Sequence, residues 1–321
     1  MKRFPSRRIW SIAAAIALLG LLPAGQSWTR ASAQSVPHIR AGTNRNVGGT
    51  VIYFAQELGF FKKAGLDVDI QTVTNGAAAA NAVLSGALDI SEGNVLSIAL
   101  AHEKGLPLTF IAPLANYSAS APTSLLMVDK SSSIASGADL NGKTLAVNGL
   151  SDITQIAAEG WIDAHGGDSR TVRYVEMTFS EMGPALERHT VDAAVVTEPF
   201  LIGAKKTARV IGSCYDAIGD RFMVNGWFAT NDFIAKNPDI LRRFAQALRE
   251  ASDWANHNPK LTDPILTAHT GIPLPLIEQM TRIEYATVLD ARLAQPQLDL
   301  AFKYNILPAR MAARDIVYNG K

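Results

Sequence analysis

The chain has 321 residues, 48% hydrophobic and 18% charged, a balance that suits two globular domains and excludes a disordered or fibrous chain. Its 30 basic and 29 acidic residues form no basic stripe, so a nucleic-acid partner is not expected. One cysteine, Cys214, excludes an intramolecular disulfide.

Lys2, Arg3, Arg7 and Arg8 precede an apolar run from Ile9 to Leu22, and the small-residue sequence ASA follows at Ala31–Ala33. This is the layout of a secretory signal peptide over residues 1–33, and the run falls short of the ~20 apolar residues that span a bilayer. Arg7-Arg8 leaves twin-arginine export open beside the ordinary route. Residues 1–33 hold five of the 30 basic side chains and no acidic one, so the rest carries 25 basic against 29 acidic, net −4. No cysteine stands at the cleavage site to take a lipid, and the expectation is a soluble periplasmic protein.

The next segment reads strand (38–43), polar loop, then a helix stopped by Gly65, with Val51, Ile52, Phe54, Ala55, Leu58 and Phe61 at helical spacing. A strand over 66–73 alternates, and the alanine-rich helix after Asn75-Gly76 presents nothing larger than a methyl in its first turn. A short strand (87–91), a helix (94–105) and a strand (108–114) follow. The βαβ rhythm with short links predicts a parallel sheet covered on both faces. After a polar stretch (129–143) the rhythm restarts with a strand (144–148), a helix capped by Ser151 or Asp152, a strand, a short helix and the strand VDAAVVTEP. Beyond Asn231 the chain reads as amphipathic helices, which need a surface to cover and are expected to pack back on the first lobe. The expected organisation is lobe 1 at 34–123, lobe 2 at 124–227, and a return to lobe 1 over 228–321. The two crossings, near Ser124–Val128 and Gly226–Thr230, make a hinged cleft.

No catalytic constellation stands out. The six histidines lack metal spacing, Ser131–Ser133 has no nucleophile-elbow context, and Cys214 sits in no motif, so no catalytic residue, metal or cofactor is expected. Polar loops instead gather at the C-terminal ends of strands, where open α/β sheets bind ligands. The candidates on the first lobe are Thr43, Asn44, Arg45 and Asn46, then Asn75, Gly76 and Ala77, then Glu92 and Asn94, then Asn116 and Tyr117. On the second lobe they are Asn148, Ser151, Asp152, Phe179 and Glu198. Tyr53, Tyr117, Phe179 and Trp227 could wall a planar ligand, though Tyr53 and Trp227 suit core packing equally well. Helix N-termini and Arg45 suit an anion, whereas Glu92 and Glu198 suit an amine, a ring nitrogen or a hydroxyl.

The stretches AQELGFFKKAGLDVDI, NGAAAANAVLSGALDIS, ALAHEKGLPLTFIA, ADLNGKTLAVN, VDAAVVTEPF and ATNDFIAKNPDILRRFAQALREASDWANHNP occur here in that order. The ordered set resembles the nitrate/sulfonate/taurine/thiamine-precursor class of solute-binding proteins of ABC transporters. The resemblance implies a two-lobed, type II-like periplasmic binding protein fold of class α/β. It also implies a ligand enclosed by hinge closure and delivery to an inner-membrane ABC permease with its ATPase; the expected solute is a small organic one, anionic or zwitterionic, and the expected state a monomer. The thiamine-pyrimidine synthase branch shares the fold but uses a cysteine-rich iron motif, against which the single cysteine argues. A sensor that presents its closed form to a receptor is the third reading.

Overall fold

The computed structural model describes residues 36–318, so the expected signal peptide lies outside the described residues. The first half holds β1 (His38–Thr43), α1 (Val51–Glu57), α2 (Phe60–Lys63), β2 (Asp67–Thr72), α3 (Gly76–Leu84), β3 (Ile90–Asn94), α4 (Val95–Glu103) and β4 (Leu108–Ser118). The middle holds β5 (Ser124–Asp129), β6 (Thr144–Val147), α5 (Ile153–Ala164), β7 (Arg173–Glu176), α6 (Phe179–Glu187), β8 (Ala193–Thr197), α7 (Phe200–Ala204) and β9 (Ala208–Gly212). The remainder is β10 (Arg221–Thr230), α8 (Asn231–Lys236), α9 (Pro238–His257), α10 (Pro259–Thr270), α11 (Leu274–Ile277), β11 (Glu284–Tyr285) and α12 (Ala291–Lys303).

The strands form two sheets, ordered β11-β4-β10-β3-β1-β2 and β7-β6-β8-β5-β9. In each, parallel βαβ pairs (β1 with β2 and β3; β6 with β7 and β8) meet antiparallel strands that carry the chain in or out (β10 with β3 and β4; β5 with β8 and β9). The fold is therefore α/β with two lobes. Arg221–Thr230 pairs along β3 and β4 of the first sheet, so 221–227 does not belong with the second sheet as the sequence reading has it. The sheets are joined by 119–123 and 213–220, a few residues before the expected crossings, and the two links are tied where Ala119 N–H donates to the Asp220 carbonyl at 2.9 Å.

Alternation along β10 sends Trp227 to one face of the first sheet and Phe228 to the other. On the Trp227 face α1 and α9 close the core, with Phe61 stacked on Phe244 at 5.4 Å and Trp227 edge-on to Phe244 at 5.7 Å. Full burial of such side chains contributes roughly 1.5–3 kcal/mol each. On the other face α3 and α4 join a core that continues through Tyr117, Phe222 and Tyr215 to α5 of the second lobe, with α12 spanning the two. α6 and α7 cover the remaining face of the second sheet.

The methyl row of α3 follows from this packing. Ala79 and Ala80 are buried in that core, while Ala77 is exposed. A Cβ at Gly76 would lie 2.8 Å from that of Ser97 and 2.9 Å from Asn94 Nδ2, so α4 approaches this turn too closely for any side chain.

Candidate functional site

A narrow cavity of about 40 Å³, room for very few water molecules, lies between the lobes at the C-terminal ends of the parallel strands. Of the residues expected at the site, it is lined by Asn44, Asn46, Asn75, Gly76, Glu92 and Asn94 from the first lobe and by Asn148, Asp152 and Phe179 from the second. Local structure places them. Asn75, Asn94 and Asp152 cap α3, α4 and α5, accepting from the N–H of Ala78 (2.9 Å), Ser97 (2.9 Å) and Thr154 (2.8 Å). Asn46 Oδ1 accepts from Gly49 N–H at 2.8 Å and so shapes the loop between β1 and α1.

Glu92 is buried at the heart of this lining and makes no ion pair among the described residues. Its Oε1 accepts from Asn44 N–H (2.6 Å) and Thr43 Oγ1 (3.3 Å), and its Oε2 from Asn225 Nδ2 (2.8 Å). Removal from water pushes its pKa up to about 7, the three neutral donors offsetting only part of that cost. Gly49 makes room for it, since a Cβ there would lie 2.7 Å from Glu92 Oε1. Asp152 has the same character. Its Oδ1 takes Thr154 N–H, Thr154 Oγ1 and Gln155 N–H, its Oδ2 accepts nothing among the described residues, and burial pushes its pKa up to about 6. Besides these two carboxyls only Tyr215 among the lining side chains can ionise; no lysine, arginine or histidine lines the cavity.

The lobes are held together at the cavity by direct hydrogen bonds. Asn44 Nδ2 donates to the Asn148 side chain (3.2 Å), Asn148 Nδ2 to the Thr74 carbonyl (3.2 Å), and Asn75 Nδ2 to Glu176 (2.9 Å). Val47 N–H donates to the Glu198 carbonyl at 2.9 Å.

The other expected residues lie elsewhere. Thr43 is buried behind Glu92 and supports it. Arg45 is exposed on the outer rim, and Ala77 and Ser151 are exposed as well. Tyr53 stacks on His269 at 3.8 Å, and Trp227 is fully buried in the first-lobe core. Asn116 donates to Glu284 (3.3 Å), and the Tyr117 hydroxyl donates to Asp216 at 2.6 Å in the link between sheets. Glu198 faces away from the cavity, accepting Ile202 N–H (3.0 Å) and Thr281 N–H (3.2 Å), and the peptide bond to Pro199 is cis. Cys214 is buried with its thiol pushed up to about 12 by desolvation, the mark of an unreactive thiol.

Sequence reasoning missed Val47, Thr123, Ser124, Thr154, Tyr215 and Asn225, which also line the cavity. Asn225 had a signal, an amide within the apolar run from Phe222 to Ala229. Its partner Glu92 is 133 residues away, so only the fold joins them.

A family model described as NMT1/THI5 like matches residues 46–261, more than half of the chain. The chain is 24% identical over 257 residues to the formylaminopyrimidine-binding protein of Halalkalibacterium halodurans, covering 76% of this chain and 74% of that one. Its fold superposes on the alkanesulfonate-binding protein of Xanthomonas axonopodis pv. citri bound to MOPS, with TM-score 0.73, 16% identity, and 88% and 98% of the two chains covered. It also superposes on the ligand-binding component of an ABC-type import system from Staphylococcus aureus, with TM-score 0.75, 16% identity, and 88% and 96% covered. No described helix is long and apolar enough to cross a membrane. The chain belongs to the NMT1/THI5-like family and has the two-lobed fold of the periplasmic solute-binding proteins of ABC import systems.

Proposed function

We propose that this chain captures a small nitrogen-rich solute, whose part enclosed in this cavity is neutral or cationic and bears hydrogen-bond donors, and delivers it to an ABC permease without transforming it. One observation carries the ligand class: the interlobe cavity is lined by two carboxyls and six asparagines and by no cationic side chain. A sulfonate or nitrate enclosed there would face Glu92 and Asp152 with no counter-charge. An amino group or a protonated ring nitrogen would find acceptors, and with Glu92 near neutrality the same carboxyl can also donate to an unprotonated ring nitrogen. An aminopyrimidine fits this pattern, and the similarity to a formylaminopyrimidine-binding protein supports it. Closure supplies partners from both lobes, so only a solute that touches both shifts the open–closed equilibrium.

Thermal shift with an N-formylated aminopyrimidine, an alkanesulfonate and nitrate tests the reading. The pyrimidine should raise Tm with concentration as RT ln(1 + [L]/Kd) requires, and the two anions should not. Stabilisation by the anions alone overturns the ligand class, and turnover of the bound compound overturns the binding-only role.

A further inference from the structure

A second cavity, of about 250 Å³, lies against the first on its outer side and shares Asn44, Val73 and Phe179 with it. Its chemistry is the reverse of its neighbour's. Arg45 is the one ionisable side chain in its lining; around it stand the hydroxyls of Thr72, Thr74, Thr178 and Ser180, with Phe200 closing the far wall. Among the described residues Arg45 makes no ion pair and no hydrogen bond. The Thr178 hydroxyl and N–H both donate to Glu181, at 2.5 and 3.2 Å, and Glu57 is paired with His269. The partition between the cavities is made of side chains and one carbonyl. Asn44 Nδ2, which donates to the Thr74 carbonyl at 3.0 Å, meets Asn148, whose own amide reaches the same carbonyl.

We infer that the site is bipartite and takes a two-ended solute: a nitrogen-bearing, hydrogen-bond-donating head in the inner cavity and an acidic tail, carboxylate or phosphate, in the outer one against Arg45. The separation of charge carries this. An acid placed inside meets two carboxyls, and an amine placed outside meets a guanidinium, so each end of such a solute has one chamber that suits it. Arg45 offers a planar fork of donors with the neighbouring hydroxyls beside it. The linker would replace the Asn44–Asn148 contact at the partition. This rests on the inner cavity holding an amino-heterocycle as set out above.

Calorimetric titration with two probes tests it. One is 4-amino-5-aminomethylpyrimidine N-formylated on the side-chain amine; the other is its N-succinyl counterpart, which adds a carboxylate tail. The wild-type protein should bind the succinyl probe at least tenfold more tightly, an advantage that shrinks as salt rises. Arg45→Gln should erase that tenfold while leaving the formyl affinity within about twofold, as expected for an exposed residue outside the inner cavity. Formyl binding with no succinyl advantage, or an advantage that survives Arg45→Gln, overturns the outer chamber alone. Binding of neither probe overturns the head-group reading and the bipartite site with it.

Discussion

Glu92 and Glu198 occupy comparable places in the two lobes, one in and one just past a buried strand of its sheet, and each is closed off from solvent. Their surroundings set them apart. Glu198 is claimed by backbone: α7 gives it Ile202 N–H and the segment before β11 gives it Thr281 N–H, while its own carbonyl takes Val47 N–H. The Ile202 bond lies within the second lobe, while the Thr281 bond ties the carboxylate, and the Val47 bond its carbonyl, to the first, so this residue braces the lobes. Glu92 is held by one backbone N–H and two side-chain donors and borders the cavity. A buried carboxyl is a brace when backbone N–H groups satisfy it from outside the cleft, and a candidate ligand group when it fronts the cavity.

Substitutions at three positions would break or sharpen this contrast. Glu198→Ala strands two half-buried N–H groups that now meet a carboxylate, and each such bond is worth ~1.5–3 kcal/mol. Chemical denaturation should show a loss of about 4 kcal/mol, with the order of ligand preference unchanged. A stable variant with altered ligand choice would remove the distinction.

Glu92→Gln should act in the opposite direction at alkaline pH. The folded protein holds Glu92 near pKa 7 against 4.5 unfolded, so between those values it retains a proton that the unfolded chain has released. Stability therefore falls as pH rises from about 4.5 to 7 and stays low above that. The amide removes this slope and should raise stability at pH 8 by ~3 kcal/mol, the worth of about 2.5 pH units. Aminopyrimidine binding should weaken at the same time. Asp152, raised in the same sense to about 6, should leave a residual slope below pH 6 in the variant. A wild-type Tm that rises from pH 5 to 8 would contradict the buried-acid assignment.

Asn75→Ala is the smallest of the three. It removes the α3 cap and the bond to Glu176 across the cleft, for ~1–2 kcal/mol in all. Asn75→Asp separates the two roles, since it keeps the cap but faces Glu176 with a like charge. An Asp variant as stable as the wild-type protein would show that the interlobe bond contributes nothing.

Much of the frame was legible in the sequence because it is written in local signals. The βαβ rhythm, the cap of α5 at Ser151 or Asp152 (it is Asp152), and the amphipathic 238–257 helix each follow from residues within one or two turns. What was misread lies where polar residues sit inside strands. Glu92 to Asn94 and Asn116 to Tyr117 read as loops, yet they belong to β3 and β4. Ser91 Oγ gives its hydrogen to the Gly42 carbonyl at 3.1 Å and Glu92 takes the Asn225 amide, partners that appear only once the sheet is assembled. Of the expected aromatic wall Phe179 borders the cavity, whereas Trp227 and Tyr53 found apolar or stacking partners in the first lobe. Gly76 borders the cavity as expected, but the crowding against Ser97 means that a bulkier residue there would disturb α3 and α4 before it could report on a ligand.

The narrowness of the inner cavity has a kinetic consequence. No solute the size of a pyrimidine reaches Glu92 while Asn44–Asn148, Asn75–Glu176 and Val47–Glu198 remain joined across the cleft. Arrival is then a two-step event: the lobes part, and the solute enters the gap. Its observed rate should rise with concentration only until parting becomes the slower step, and level off there. The height of that plateau would measure how often the protein opens, whatever the solute.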